Sequence, residues 1–313
     1  MTRPLRNMCE LAVIGGGLAG LAAAHHAARL GRLVTLFEGS GIYGGQVATV
    51  DHVDGLGAPG HFTGQDVAIG LLDGARRLGV QVIEDPVARL DTDERLALAA
   101  ADGREFRPEA VIVASGASLR KLGVAGEADY AGRGVSRCAT CDGGFFRGRD
   151  VAVIGGGDAA VTEALVLAKI AGTVHMVCRS PLKAKREYID RLAAQANVVF
   201  HWDRTVTAIE GGASVTGLAL RGARSGETES LACAGVFPFI GIEPVSGFVP
   251  DDLRDEKGYI MTDSALVTRD PRVFAAGAVR SGYGGQAVQA MAEGISAAEA
   301  AAQRLATREG GGR

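Results

Sequence analysis

The apolar positions of the chain fall in short unbroken runs, and each run is followed by a glycine-rich turn. LAVI at 11–14 precedes GGGLAG, and VAVI at 151–154 precedes GGGDAA. Continuous apolar runs of this length are typical of strands buried on both faces of a parallel sheet. An alanine-rich stretch and a second apolar run follow each turn, so each segment is predicted to form strand, helix and strand.

The two segments are copies of one unit. Residues 11–40 and 151–180 align without a gap, and their strand, glycine turn, helix and strand occur in the same order. This order, with glycines at the turn, is the β-α-β signature of dinucleotide-binding folds. We therefore predict an α/β protein with two Rossmann-like dinucleotide-binding domains.

The glycines of each turn have separate predicted roles. Gly15 allows the tight turn, Gly17 lets the backbone approach a pyrophosphate, and Gly20 lets the helix pack closely on the strand. Glu38 ends the second strand, where a carboxylate can bond ribose hydroxyls. In the second copy the same three glycine roles fall to Gly155, Gly157 and Ala160.

The second strand of the second copy ends differently from that of the first. Cys178 and Arg179 stand where the first copy has its acidic residue, and Lys183, Lys185 and Arg186 follow closely. Without a carboxylate to repel a 2′-phosphate, this site favours a phosphorylated nicotinamide cofactor. A solvated basic helix face is the alternative interpretation.

The repeat predicts where the domains begin and end. VIVASGA at 111–117 closes the first unit, and the second extends over residues 118–246. The first unit lacks a closing segment of its own, so the C-terminal strand, glycine-rich loop and long helix are expected to return to it. The predicted domains are residues 1–117 with 247–313, and an inserted domain at 118–246.

Composition excludes several classes of partner. Apolar residues make up 47% of the 313 positions, the net charge is −3, and no run of Lys or Arg is found. We therefore expect neither a nucleic-acid partner nor a membrane-spanning segment.

Three consecutive glycines follow the first apolar run and would interrupt the helix of a signal peptide, so we expect a cytoplasmic protein.

Two of the five cysteines are closely spaced in SRCATCDGGFF at 136–146. Cys138 and Cys141 could form half of a zinc site, a structural pair or a redox disulfide. Zinc needs further ligands nearby, and the other three cysteines are widely scattered, so we predict no metal site. In a reducing cytoplasm the spacing favours a disulfide that opens and closes, with Asp142 moving the proton. Between two dinucleotide sites, such a disulfide implies electron relay from a nicotinamide through a flavin.

Several motifs together resemble the low-molecular-weight thioredoxin reductases over nearly the whole chain. CATCDG at 138–143 precedes GGGDAA, and GGGLAG, GGQ at 44–46, FPFIGIEP at 237–244 and VFAAG at 273–277 also match that family. The resemblance implies FAD in the first fold and NADPH in the inserted one. It also implies a homodimer and a thioredoxin-like protein partner.

The resemblance further implies roles for individual residues. Cys141 would face the flavin, Cys138 would attack the disulfide of the partner, and Asp142 would act as the acid–base. The remaining flavin-contacting positions would be Gly45, Gln46, Gly277, Gln286 and Ala287.

Three departures from the family pattern lie around the cofactors. The family's His-Arg-Arg is Cys178-Arg179-Ser180, the Asp after its last Gly is Ala278, and the Arg before Gln-Ala is Gly285. We therefore predict an FAD-dependent disulfide oxidoreductase that passes electrons from NADPH through its disulfide to a thioredoxin-like protein. The alternatives are a ferredoxin-linked enzyme, an oxygen-using oxidase of small-molecule dithiols, and a non-enzymatic redox sensor.

Overall fold

The computed structural model describes residues 9–50, 53, 55–56 and 60–310, without the side chains of 308–310. Residues 1–8 lie outside this range. They belong to the N-terminal segment for which we expect no signal peptide. The chain divides into two compact units. Unit 1 comprises Met1–Ser118 and Glu243–Arg313, and unit 2 comprises Leu119–Ile242.

The helices and strands follow the predicted alternation closely. In chain order they are β1 (Leu11–Ile14), α1 (Leu18–Arg29), β2 (Val34–Phe37), α2 (Gly64–Arg77), β3 (Gln81–Ile83), β4 (Val87–Asp91), β5 (Ala97–Ala100), β6 (Glu105–Phe106), β7 (Ala110–Val113), β8 (Ala117–Leu119), α3 (Ala139–Asp142), β9 (Val151–Ile154), α4 (Asp158–Ala168), β10 (Val174–Cys178), α5 (Arg186–Ala193), β11 (Val198–Trp202), β12 (Arg204–Gly211), β13 (Val215–Gly222), β14 (Thr228–Ala232), β15 (Gly235–Pro238), β16 (Ile242–Pro244), β17 (Val273–Ala275) and α6 (Ala287–Gly310).

Unit 1 is built on a five-stranded parallel sheet. Its strand order is β17-β7-β1-β2-β3, and α1 packs against α2 and α6. The C-terminal strand β17 pairs with β7, so the last segment of the chain completes the first sheet. Strands β4, β5 and β6 form a small antiparallel sheet between β3 and β7 in the sequence.

Unit 2 repeats this arrangement. Its parallel sheet has the order β11-β10-β9-β15, and the antiparallel sheet β12-β13-β14 again separates the third and fourth parallel strands in the sequence. Two short strands, β8 and β16, pair where the chain passes between the units. The predicted α/β class with two Rossmann-like domains is confirmed.

The first strand of each parallel sheet is buried on both faces, as an unbroken apolar run requires. In β1, Leu11 and Val13 belong to one core cluster, and Ala12 and Ile14 to another on the opposite face. The four residues of β9 divide between two clusters in the same way. Each unit therefore has one core layer on each side of its sheet. In the described part of the chain, no helix combines the length and apolarity that crossing a bilayer requires.

Candidate active site

The first glycine turn lies between β1 and α1 in unit 1. Gly15 has a φ of 109°, and a Cβ there would come within 2.4 Å of a carbonyl oxygen. A Cβ on Gly20 would lie 1.8 Å from the Gly15 carbonyl oxygen, so the helix packs directly on the turn. Gly17, just before α1, faces open space. The free N–H groups of this helix N-terminus fit the pyrophosphate of a dinucleotide.

Glu38 lies beside this turn at the end of β2 and is only 7% exposed. One carboxylate oxygen accepts the N–H of Gly16 at 2.6 Å. The other accepts the N–H of Ser40 at 2.6 Å and its hydroxyl at 2.5 Å. Ser40 was not predictable from the sequence, because a serine two residues after an acidic one carries no specific signal. The carboxylate is thereby held next to the open space at Gly17.

The GGQ loop is brought to the same place. Gly44 donates its N–H to the Gly16 carbonyl oxygen at 2.8 Å. Gly45 has a φ of 58°, and a Cβ there would lie 3.4 Å from the Cα of Gly17. The Gln46 side-chain amide donates to the backbone carbonyl of the first residue of β8. The loop therefore forms a second wall of the space in front of α1.

The glycine after β17 completes this group. Gly277 has a φ of 76°, and a Cβ there would come within 2.9 Å of the Cβ of Ala19 in α1. Its N–H donates to a carboxylate oxygen of Glu293 at 2.8 Å, and Glu293 pairs with Arg280 at 2.5 Å. Burial alone would raise the pKa of Glu293, but the hydrogen bonds from Arg280, Gly277 and Gln289 outweigh it and hold that pKa below 4.5. Glu293 thus anchors the loop, a role that the sequence analysis missed.

Gln286 and Ala287 stand at the start of the last helix. Gln286 is exposed, its carbonyl oxygen accepts the Tyr283 hydroxyl at 2.7 Å, and α6 begins at Ala287. Burial, followed by the charge of Glu293, raises the pKa of Tyr283 to about 12, so its hydroxyl remains a donor at neutral pH. This contact fixes the segment that enters α6.

The second glycine turn, in unit 2, has the same geometry. Gly155 has a φ of 133°, and a Cβ there would lie 2.2 Å from the Phe239 carbonyl oxygen. Gly157 precedes α4 and faces open space. Ala160 fills the place of the third glycine, and its side chain is fully buried. This turn also fits a dinucleotide pyrophosphate.

Basic residues follow β10 beside the second turn. Arg179 directly follows the carboxyl end of the strand and is exposed. Among the residues that the structure describes, its guanidinium has no hydrogen-bond or ion-pair partner. The backbone N–H of Lys183 donates to the Gly156 carbonyl oxygen at 2.7 Å, which ties the loop after β10 to the turn. Both cations therefore lie at the end of the sheet where Rossmann-like folds bind phosphates.

The two closely spaced cysteines form a disulfide in unit 2. The Cys138–Cys141 bond has an S–S distance of 2.16 Å and a Cα–Cα distance of 5.3 Å. Cys138 caps the start of α3, and its sulfur accepts the Cys141 N–H at 3.1 Å. Cys141 is exposed and Cys138 half-buried. An amide aimed at the Cys138 sulfur favours the thiolate at that position once the bond is reduced.

Asp142 is held beside the disulfide by a serine that the sequence analysis missed. The Ser136 hydroxyl donates to an Asp142 carboxylate oxygen at 2.7 Å. Ser136 also accepts the Cys138 N–H at 3.2 Å and is nearly buried. The Asp142 carboxylate is therefore oriented by the same residue that shapes the start of the disulfide loop.

Two glycine turns in parallel sheets and a closely spaced disulfide are the features of one large enzyme family. The family model for pyridine nucleotide-disulphide oxidoreductases matches residues 9–294. The chain belongs to this family. Within this oxidoreductase family, the resemblance to thioredoxin reductases is confirmed by individual relatives.

Three of these relatives match nearly all of the chain. Thioredoxin reductase of Treponema pallidum is 37% identical over 302 residues, covering 95% of this chain and 97% of the relative. The bifunctional thioredoxin reductase/thioredoxin of Mycobacterium leprae is 38% identical, covering 96% of this chain and 67% of the relative. A crystal structure of Lactococcus lactis thioredoxin reductase has a TM-score of 0.89 at 33% identity, covering 96% of this chain and 100% of that one. This similarity does not favour the ferredoxin-linked, oxidase or sensor alternatives.

This oxidoreductase departs from the thioredoxin reductase pattern at Cys178, Ala278 and Gly285, and the three residues have different structural environments. Cys178 is 1% exposed, and its thiol donates to the Gly155 carbonyl oxygen at 3.2 Å. Burial raises its pKa to about 11, so it packs as a neutral core thiol beneath the second glycine turn. Ala278 is half-buried next to Gly277, and Gly285 is exposed with a φ of 83°.

Proposed function

We propose that this chain is an NADPH-dependent reductase of a thioredoxin-like protein, with FAD bound in unit 1 and NADPH in unit 2. The observation that carries the proposal is the Cys138–Cys141 disulfide beside an oriented Asp142, within a chain that matches thioredoxin reductases over almost its full length. The geometry of the two glycine turns agrees with two separate dinucleotides.

Each cofactor has its own set of residues. A bound nicotinamide supplies a hydride, and a bound flavin carries that electron pair to the disulfide. The residues that would hold FAD are those that converge in front of α1 and at the start of α6: Gly15, Gly17, Gly20, Glu38, Gly45, Gln46, Gly277, Gln286 and Ala287. Those that would hold NADPH surround the second turn: Gly155, Gly157, Ala160, Arg179 and Lys183.

The two cysteines divide the work of disulfide exchange. The Cys138 thiolate, stabilised by the Cys141 N–H, attacks one sulfur of the partner's disulfide and releases the other as a thiolate. Cys141 then attacks the sulfur of Cys138. This second step re-forms the Cys138–Cys141 bond and releases the partner as a dithiol, so the partner gains the two electrons that the enzyme loses.

Asp142 carries the protons of this exchange. Each thiolate that leaves must gain a proton, and each thiol that attacks must lose one. The Ser136 hydroxyl fixes one oxygen of the Asp142 carboxylate, next to Cys141 in the sequence, and the side chain has one further oxygen for the moving proton. Ser136 therefore acts as a positioning residue.

A pocket next to the disulfide loop supports a protein as the partner. It has a volume of about 310 Å³, and its lining includes Ser136 and Asp142 together with Phe145, Arg133 and Arg149. Phe145 is 78% exposed and lines this pocket, so its aromatic ring is available as an anchor for the surface of a partner protein. The Mycobacterium leprae relative, named for both thioredoxin reductase and thioredoxin, agrees with a thioredoxin-like partner. By the same resemblance we expect a cytoplasmic homodimer.

The test is an anaerobic titration of the FAD-reconstituted protein, followed by its visible absorption spectrum. Low concentrations of NADPH are expected to bleach the flavin band, and a thioredoxin is then expected to be reduced catalytically. A yellow protein that neither NADPH nor NADH bleaches would refute the proposed electron donor.

Two cysteine variants separate the disulfide from general effects of cysteine loss. Cys141→Ser is expected to remain a flavoprotein that NADPH bleaches but to lose thioredoxin reduction. Cys233→Ala removes a buried thiol of unit 2 that takes no part in the proposed exchange and is expected to keep activity. Full-rate thioredoxin reduction by Cys141→Ser would disprove the relay.

A further inference from the structure

A carboxylate on α4 binds the loop between the two redox cysteines. Glu163 accepts the N–H of Ala139 at 2.6 Å. Ala139 is the first residue of α3 and directly follows Cys138, so Glu163 lies against the amide end of the peptide segment that carries the disulfide. Glu163 takes no part in the proposed cofactor binding or disulfide exchange.

Two backbone donors of this loop have different acceptors. The Cys141 N–H points to the Cys138 sulfur, whereas the Ala139 N–H is taken by Glu163. Free amides at a helix start stabilise a thiolate. A carboxylate that binds the Ala139 N–H occupies one of these donors and places a negative charge beside the residue that follows Cys138, so it acts against ionisation of the Cys138 thiol.

In the part of the chain that the structure describes, no Lys, Arg or His forms an ion pair with Glu163. The acidic residue on the packed helix α3 is Asp142. Burial raises the pKa of Glu163, and the Ala139 amide acts in the opposite direction. The charge of the ionised Glu163 carboxylate therefore acts on the disulfide loop without an ion-paired cation among the described residues to offset it.

We propose that Glu163 is a positioning residue that fixes the start of α3 and raises the pKa of the Cys138 thiol. At pH values at which Cys138 is ionised, the dithiol form is thereby a stronger reductant. This favours electron transfer from the enzyme to its partner. The inference rests on the proposed function only in that Cys138 and Cys141 cycle between disulfide and dithiol.

Thiol–disulfide exchange with dithiothreitol measures this effect without NADPH or a protein partner. Dithiothreitol gives two electrons to the Cys138–Cys141 bond, closes to its cyclic disulfide, and leaves both cysteines reduced. Alkylation and mass spectrometry of the FAD-loaded protein at set ratios of reduced to oxidised dithiothreitol give the equilibrium constant.

The pH dependence has a defined sign. A negative charge destabilises only the ionised thiol, so removing it favours the reduced protein above the thiol pKa and has no effect well below it. Glu163→Gln keeps the size and a hydrogen-bond acceptor and removes the charge. Its equilibrium constant for reduction is expected to match that of the parent protein near pH 6 and to exceed it about tenfold near pH 9. Tenfold corresponds to about 30 mV for a two-electron couple.

The rate of Cys138 alkylation against pH gives a second readout. We expect the apparent thiol pKa to fall by about one unit in Glu163→Gln. Glu163→Asp keeps the charge and should stay within about twofold of the parent protein in both measurements. Glu187→Gln, an exposed glutamate on α5, is the charge control and should change neither.

Three results would overturn the inference. The first is an unchanged pH profile in Glu163→Gln. The second is a tenfold change that is equal at pH 6 and pH 9, which indicates a structural effect of the side chain. The third is a shift in Glu163→Asp of about tenfold from the parent protein near pH 9, which counts against the inference even if Glu163→Gln does not fold, because this variant keeps the charge. The proposed function fails separately, if NADPH leaves the flavin of the parent protein oxidised.

Discussion

Substituting Glu293→Ala is expected to destabilise unit 1 strongly. Glu293 holds the loop after β17 through the Gly277 N–H at 2.8 Å and through Arg280 at 2.5 Å. The side chains of Arg280 and Glu293 are 15% and 10% exposed, so both charges lie largely out of water. The substitution would leave a buried guanidinium without its counter-charge and a buried N–H without its acceptor.

These contacts set the magnitude of the expected loss in the free energy of unfolding. Removing one partner of a buried ion pair costs about 3–5 kcal/mol. An unsatisfied buried N–H costs roughly 1–3 kcal/mol, and the two effects overlap because they concern the same carboxylate. We therefore expect the free energy of unfolding to fall by about 3–5 kcal/mol. Because the pKa of Glu293 in the folded protein is below 4.5, this contribution is present above that value and is lost as the pH falls through the lower pKa of the folded protein.

The assay is urea unfolding followed by circular dichroism and by the fluorescence of Trp202. Trp202 is the single tryptophan and lies in unit 2, so its transition reports the unit that is not mutated. At pH 7 the unit 1 transition should move to a lower urea concentration, while the Trp202 transition should move little.

The matched control is Glu299→Ala on the same helix. Glu299 pairs with His26 at 3.2 Å, but its side chain is 55% exposed, so the substitution should cost at most about 1 kcal/mol. Equal losses in the two variants, or a Glu293→Ala penalty that persists undiminished at pH 3, would refute the reasoning.

Three further predictions concern unit 2. Arg179→Ala should raise the KM for NADPH about tenfold and leave that for NADH within about twofold, because the exposed guanidinium has a 2′-phosphate as its proposed partner; an equal change for both would contradict this role. His175 and His201 contact each other at 3.0 Å, and burial lowers the pKa of both below 6.5, so the Trp202 unfolding midpoint should fall as the pH drops below about 6.5. His201→Gln should flatten that fall, and an equally steep profile in the variant would argue against the pair. Phe145→Ser should raise the KM for thioredoxin about tenfold without changing the bleaching of the flavin by NADPH, and an unchanged KM would exclude Phe145 from docking.

The two nucleotide folds were predictable because their determinants are local. A strand buried on both faces needs an unbroken apolar run, and the turn after it needs a residue that tolerates positive φ, as at Gly15 and Gly155. The Cys138–Cys141 bond was predictable for the same reason, since two cysteines at this spacing lie on a single helical turn. Such features are encoded within a few neighbouring positions of the chain.

The partners of these features were decided only by the tertiary structure. Glu163 reaches Ala139 across 24 positions of the sequence, and Glu293 reaches Gly277 across 16. From helical periodicity alone, each glutamate is predicted only to be a polar residue of a helix. The local pattern does not show which backbone amide a given helix face will contact. Packing of α4 on α3 and of α6 on the loop after β17 makes those contacts. The sequence by itself therefore determined the two folds and the disulfide. Tertiary packing decided which carboxylates bind the disulfide loop and the loop after β17, because the effect of a buried charge depends on the groups that surround it.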